Sequence, residues 1–315
     1  MSIPENSQGS VLSVIVVVVS DTINRKYDLS CLSICLEALQ QQVDPPQFEI
    51  LVPYPSQVTD FEILKNQFPQ VTFIPIDQLD SYKVTGFGRE HHDELRARGI
   101  SAAHGEVIAL IEDHGRPEAH WCRKIIEAHK HEFVGVGGAI ENEVDRSINW
   151  AVYYCDFVKY QNPVPQGETS SASDANISYK KNALMSIQPV WYRSFHETEV
   201  NWAIQSRNEK ISLSPDIIVY QHRNNLKVGD ALKERYIWGQ SYAITRSRAL
   251  SFAKKIMYFV LTPLLPLILF TRTTLSVLKK GRNLTAYLKA SPLLFLLLIG
   301  WSLGEASGYL KFHSA

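Results

Sequence analysis

The residues of this chain best suited to chemistry fall together at Glu112, Asp113 and His114, inside the run ALIEDHGRPEAHW at 109–121. They follow directly on Val107 to Ile111, an unbroken apolar stretch that reads as a strand. Residues i and i+2 of an extended chain point the same way, so Glu112 and His114 share a side there. A carboxylate and an imidazole on one side can grip a divalent cation, and that cation can hold a diphosphate. The competing reading is a polar strand-end loop that holds no ion. A second acidic group, His196-Glu197-Thr198-Glu199, precedes the helical Trp202 to Ser206. Carboxylates at a helix start are also favoured by the macrodipole alone.

The elements that must position these groups alternate in type. Val11 to Ser20 is a β-branched run of the kind buried on both faces of a parallel sheet. Leu29 to Gln42 has helical spacing at Leu32, Cys35, Leu36 and Leu39, and Pro45-Pro46 stops it. Phe48 to Val52 predicts a second strand closed by Pro53-Tyr54-Pro55, Asp60 to Gln67 a short helix, and Val71 to Ile76 a third strand. Glu90 to His104 predicts a helix ended by Gly105, before the strand that carries Glu112. This alternation implies a doubly wound α/β layer. Ligands of such sheets sit at the carboxyl ends of the strands. Three polar points fall there: Ser20-Asp21, the turn after Val52, and Glu112 to His114. Further along, Phe133 to Ile140 and Ile211 to Tyr220 read as strands, and Gly167 to Ser173 as a mobile loop.

From about Ser13 to His222 the chain resembles the family-2 glycosyltransferases, which have the GT-A fold. The resemblance rests on SVIVVVVS followed by LSICLEALQQQ, on RARGISAAHGE at 96–106, and on Glu112-Asp113-His114 with Arg116-Pro117 and Trp121 behind it. It continues through Ala175-Asn176 before Lys180-Lys181, Glu197 ahead of the late strand, and His222 after it. A glutamate stands where the family's metal motif begins with aspartate, and the second strand lacks its usual terminal acid. Tyr54 could stack on a base in that place, or belong to a plain turn.

The resemblance implies an α/β, nucleotide-diphospho-sugar transferase fold and an inverting transfer from a nucleotide-sugar donor. It implies Mn2+ or Mg2+ held by Glu112 and His114, with His222 as a third ligand. Ser20, Asp21, Tyr54, Arg96, Asp113, Ala175 and Asn176 would meet the nucleotide sugar, with Asp113 on the ribose and Arg96 on the nucleotide or its phosphates. Glu197 would be the general base, with Glu199 in reserve. His91 and His92 are expected in solvent, and His129 and His131 at a helix end that favours imidazolium. For Tyr153, Tyr154, Phe157 and Tyr160, packing competes with a role as an acceptor wall.

Composition sets limits. With 32 basic and 32 acidic side chains the chain shows no basic excess, which argues against a nucleic-acid partner. Its four cysteines have no C-x-x-C spacing and read as buried reduced thiols. No signal peptide is recognised in the polar first ten residues, so the catalytic part is expected in the cytoplasm. Ile256 to Phe270 and Ser291 to Leu303 are apolar but short for a ~30 Å hydrocarbon core. Between them lie Arg272, Lys279, Lys280, Arg282 and Lys289 with no acid. A two-span hairpin would put that basic linker on the far side, against the positive-inside rule. The expectation is therefore a membrane-associated segment lying along the cytosolic leaflet, its basic linker on anionic lipid. A buried core helix pair is the alternative. The organisation expected is a tail at 1–10, a catalytic domain at 11–225 and a C-terminal helical segment at 226–315, working on a glycan or lipid-linked acceptor.

Three rivals stand beside this reading. One is a non-catalytic GT-A relative that binds a sugar nucleotide or a partner protein. A nucleotidyltransferase would want a glycine-rich phosphate loop after the first strand, and a dinucleotide oxidoreductase would want G-x-G-x-x-G; the chain has neither there.

Overall fold

The β-branched run near the start becomes β1 (Leu12–Val17), buried throughout and flanked by parallel partners β2 (Phe48–Pro55) and β4 (Val107–Glu112). The structure, a computed structural model, describes residues 11–19, 29–58, 60–81, 90–247 and 250–311. The described strands form one nine-stranded sheet in the order β3-β2-β1-β4-β8-β6-β9-β5, with β7 paired to β9. Here β3 is Thr72–Ile76, β5 Gly115–Pro117, β6 Gly135–Asn142, β7 Gly167–Thr169, β8 Asn176–Lys180 and β9 Ile211–Gln221. The first four strands are parallel as expected. β8 then runs antiparallel to both β4 and β6, so the second half is mixed rather than doubly wound. The expected loop at Gly167 to Ser173 is partly β7, hydrogen-bonded along β9.

The helices are α1 (Leu29–Gln40), α2 (Phe61–Gln67), α3 (Glu90–Ala102), α4 (Trp121–Ala128), α5 (Ser147–Asp156), α6 (Lys181–Ser186), α7 (Gln188–Trp191), α8 (Glu197–Ser206), α9 (Val228–Ser247), α10 (Phe252–Leu261), α11 (Leu265–Lys280) and α12 (Leu284–Leu310). Two apolar layers, one on each side of the sheet, bury the alternate residues of β1: Ile15 and Val17 face one, Val14 and Val16 the other.

Two expectations about single residues are corrected. β2 does not end at Val52 but runs through Pro53-Tyr54-Pro55. β1 pairs no further than Leu51, so the prolines remove no bond from that ladder. Tyr54 is consequently buried, stacked on Phe61 with ring centroids 4.3 Å apart, and has no face free for a base. His129 is likewise not a solvated helix-end cation. It is buried with Nε2 2.9 Å from Ser178 Oγ.

Burial, with Lys180 adding to it, lowers the His129 pKa from the usual 6.5 to about 4. The unfolded chain therefore binds more protons between those two values. The contribution of His129 is intact above the upper value and is lost as pH falls towards the lower one, by about 3 kcal/mol in all. Urea midpoints at pH 7.5 and pH 5 should separate widely for wild type and much less for His129→Gln.

Helix α3 is unusual for its composition. Its sequence EHHDELRARGISA is strongly polar, yet His91, His92, Asp93, Glu94 and Arg96 are all buried. His91 and His92, expected in solvent, have ring centroids 3.9 Å apart inside the fold. Glu94 explains its own burial: its carboxylate accepts the backbone N–H groups of Asp80 and Ser81 and the Ser81 hydroxyl.

The C-terminal helices are longer than the apolar runs suggested. Phe252–Lys280 and Leu284–Leu310, at 29 and 27 residues, are long and apolar enough to cross a membrane by length and composition. α12 packs along α9 with its backbone almost in contact. A Cβ on Gly304 would lie 2.1 Å from Tyr236 O, and one on Gly308 2.6 Å from Gln240 O. The contacts Leu232–Gly300, Tyr236–Gly304 and Gln240–Gly308 advance together, so the two helices run parallel. Small residues at four-residue spacing permit this approach. The outer faces stay apolar: Phe252, Val260, Leu267, Ile268, Leu275 and Leu288 are each 57–71% exposed.

The basic linker behaves differently from expectation. Arg282 donates to Glu141 and to the carbonyl of Asn162, both at 2.9 Å, and Lys280 donates to the carbonyls of Gln161 and Pro163. A buried carboxylate and a ring of backbone oxygens compete well with lipid headgroups for these two cations. Arg272, Lys279 and Lys289 remain exposed.

Candidate active site

The parallel register sets Val17 beside Glu112, so the carboxyl ends of β1 and β4 lie together. β8 arrives antiparallel with Asn176 opposite Ile111, which brings the preceding Ser173 and Asp174 to the same end. Glu112 is the last residue of β4. One of its oxygens lies 3.2 Å from Arg96 Nη2 and the other 3.2 Å from His114 Nε2. Arg96, only 2% exposed in its side chain, also meets Asp93 and Asp174, each at 3.0 Å. One guanidinium thus serves three carboxylates from α3, β4 and the segment before β8.

His114 completes the group. Its Nδ1 is 3.2 Å from Asp113 Oδ1. Burial by itself would lower its pKa, but the hydrogen bonds with Asp113 and Glu112 push it up from the usual 6.5 to about 9. Asp113 itself is fully buried and does not line the cavity. Its Oδ1 accepts the N–H of Val19, while its Oδ2 has no partner among the described residues.

Glu197 opens α8 and accepts the Asp174 N–H at 2.7 Å. Arg96, Glu112, His114, Asp174 and Glu197 all line one cavity of about 510 Å³. Beyond them the cavity continues along α9 and reaches α11 and α12, where Leu265, Leu269, Leu298 and Trp301 form its wall. The aromatic cluster divides between its two readings. Tyr153 and Tyr154 pack against Trp150, whereas Phe157 and Tyr160 face the cavity.

The remaining sequence candidates fall elsewhere. Ser20 and Asp21 lie outside the described residues. Asn176 is buried and structural: it donates to the carbonyls of Ala139 and Ile217 and accepts from Trp121 Nε1, joining three elements. Gly138 makes room for it, since a Cβ there would sit 2.4 Å from Asn176 Nδ2. Ala175 is buried beside it. Glu199 is exposed and away from the cavity, pointing off the helix on the other side from Glu197. His222 donates its backbone N–H to the His114 carbonyl at 2.7 Å, while its ring nitrogens are engaged by Glu143, Nδ1 at 2.8 Å, and Asn224, Nε2 at 2.6 Å. Among the described residues no three His, Cys, Asp or Glu side chains are grouped to hold an ion.

Two protein ligands nonetheless suit an ion that takes its other positions from phosphate and water. Cis ligands of an octahedral Mg2+ or Mn2+ stand about 3 Å apart. Glu112 Oε2 and His114 Nε2 are separated by 3.2 Å. The pair therefore fits a divalent cation on its donor chemistry and spacing.

Asp174, Asp156, Arg223 and Glu234 were not selected from the sequence, yet line the cavity together with Arg235 and Trp238 of the 235–248 segment, which the sequence suggested only as a bridge between site and membrane. Asp174 directly precedes the Ala175-Asn176 pair, which was the available signal. Arg235 and Trp238 are brought in only by the packing of α9.

No protein-family model matches the chain, and no curated protein matches it. Among solved structures it is similar to the mannosyltransferase PcManGT from Pyrobaculum calidifontis in complex with GDP-Man and Mn2+, at 12% identity and a TM-score of 0.51. That similarity covers 96% of this chain and 89% of the other. A crystal structure of residues 1–349 of TarS from S. aureus is similar at 12% identity and a TM-score of 0.46, over 91% of this chain and 89% of the other. The likeness to the mannosyltransferase establishes the fold: mixed α/β of the GT-A glycosyltransferase type, followed by apolar C-terminal helices.

Proposed function

We propose that this chain is an inverting glycosyltransferase that moves a sugar from a nucleoside-diphosphate donor to a hydroxyl acceptor at the cytosolic face of a membrane, in polysaccharide or glycolipid synthesis. The observation that carries the reading is the cavity that joins the Glu112–His114 pair to the Glu197 carboxylate. The GT-A fold supports it, as does the donor and ion held by the similar mannosyltransferase. The 226–315 segment serves as the membrane-associating part. Its outer apolar face supports that role.

Glu112 and His114 would hold Mn2+ or Mg2+, which supplies Lewis-acid neutralisation of the departing diphosphate. Arg96 keeps Glu112 aimed at this point and limits its motion. Glu197 takes the proton of the acceptor hydroxyl. That oxygen attacks the anomeric carbon, the carbon–phosphate-oxygen bond breaks, and the nucleoside diphosphate leaves from the opposite face. Asp174 positions Glu197 through its backbone N–H.

One observation favours a second reading, a non-catalytic relative that binds a sugar nucleotide or partner: Glu112 is already matched by Arg96 and His114, without an ion. The test separates the two. Purified protein is given UDP-, GDP- and dTDP-sugars with membrane lipid extract, with and without manganese, and free nucleotide is measured. Wild type should release nucleotide in a metal-dependent way. Glu112→Ala should fall by roughly 100-fold or more, as expected when a charge-stabilising group is lost. No release would support the second reading, with nucleotide binding retained in a sugar-nucleotide binder and absent in a partner-binding relative.

A further inference from the structure

We propose that the acceptor is lipid-linked: an oxygen-bearing head docks at Arg235 and Trp238, and the tail lies along the wall made by α11 and α12. This rests on the transferase reading for the donor end of the cavity.

Two residues of the cavity lining carry buried donors that meet no acceptor among the described residues. Arg235 is 2% exposed in its side chain, and its two terminal nitrogens are held by Asp156. Its Nε has no partner among the described residues, nor has Trp238 Nε1, and the guanidinium lies over the Trp238 ring at 4.3 Å. Buried N–H groups in folded proteins are almost always satisfied, so an unmatched pair just behind the cavity surface marks a place where ligand oxygens are held once these side chains turn towards them. The charges around them are already matched, Arg235 by Asp156 and Arg223 by Glu234. What the site lacks is hydrogen-bond acceptors, supplied equally by a phosphate or by sugar hydroxyl and ring oxygens.

The wall beyond is apolar and continuous. Leu265, Leu269 and Thr273 follow at four-residue spacing on one face of α11, and Leu298 and Trp301 of α12 stand with them. The other side of α11 exposes Leu267, Ile268, Leu275 and Leu278. A single helix thus separates the cavity from the outer apolar surface. A soluble acceptor would leave the inner wall wet. A lipid with its tail in the bilayer can reach past α11 and cover it.

The test is calorimetric binding to the full-length protein in amphipol, which covers the outer face. The probes are dodecyl phosphate and dodecyl maltoside, against inorganic phosphate and maltose. GDP-mannose with Mn2+ is titrated into the same samples. Four buried methylenes at about fourfold each predict that tailed probes bind on the order of 100-fold tighter than their heads. Leu269→Trp or Leu265→Trp should abolish that preference and leave nucleotide binding intact. Trp238→Phe, which keeps the ring and removes the N–H, should weaken both tailed probes by roughly fivefold to tenfold. Preference for the phosphate or for the maltoside identifies the head, and either supports the proposal. Equal binding of tailed and tailless probes overturns it. So does a tail preference unaffected by both tryptophan variants, since the tail then lies outside the cavity. Tail preference without nucleotide binding overturns the transferase reading and leaves the lipid site standing.

Discussion

Glu197→Gln will bind the donor nucleotide as the wild type does and transfer sugar between about 100-fold and 10,000-fold more slowly. The amide keeps the size of the side chain and can still accept the Asp174 N–H through its oxygen. It cannot accept the acceptor's proton. The loss should therefore appear in kcat, with nucleotide affinity measured separately by titration. Glu199→Gln is the control, because its exposed side chain lies away from the cavity. Equal rates for wild type and Glu197→Gln would remove the general base from the mechanism.

Arg96→Met will lose about 3–5 kcal/mol of stability, the usual cost of removing one partner from a buried ion group. Its three carboxylates, Asp93, Glu112 and Asp174, lie 3.0–3.2 Å away and are 6–14% exposed in their side chains. Without the guanidinium these carboxylates lose the cation they share, while His114 still meets Glu112. Arg96→Lys restores a charge but not the planar fork, so it should recover only part of the loss. Chemical denaturation with linear extrapolation gives both values. A Met variant as stable as the wild type would mean that water already reaches these acids.

The order of strands and helices in the first half was legible because each strand is an apolar run bounded by breakers. β1, β4 and the helix carrying Arg96 fall within a few residues of expectation. The adjacency of Glu112 and His114 was legible for the same reason, since a strand end fixes where Glu112 points. What failed has physical causes. Tyr54 was read as a turn residue because two prolines flank it, although prolines past the last β1 pairing are compatible with a strand. Asn176 was read as a ligand contact, but its polar atoms are spent on Ala139, Ile217 and Trp121, partners up to 55 residues away. His129 was judged by its helix position, while Ser178 from a distant strand decides its environment. The half of the cavity along α9 was not located for a different reason: it is assembled by the packing of α9 against α12, and no local pattern encodes that.

The near-contact of those two helices also has a mechanical meaning. Glycines at 300, 304 and 308 leave no side-chain cushion between α12 and the α9 backbone, so neither helix can slide or roll without collision. They behave as one beam, and Arg235 and Trp238 ride on it. α11 is joined to α12 through side chains instead, Phe270 edge-on to Phe295 and Thr274 to Tyr287. Side-chain contacts can re-pack where backbone contacts cannot. Of the two seams that bound the apolar wall, the α9–α12 one is therefore the stiffer, and the α11 one is where side chains can re-pack around an occupant.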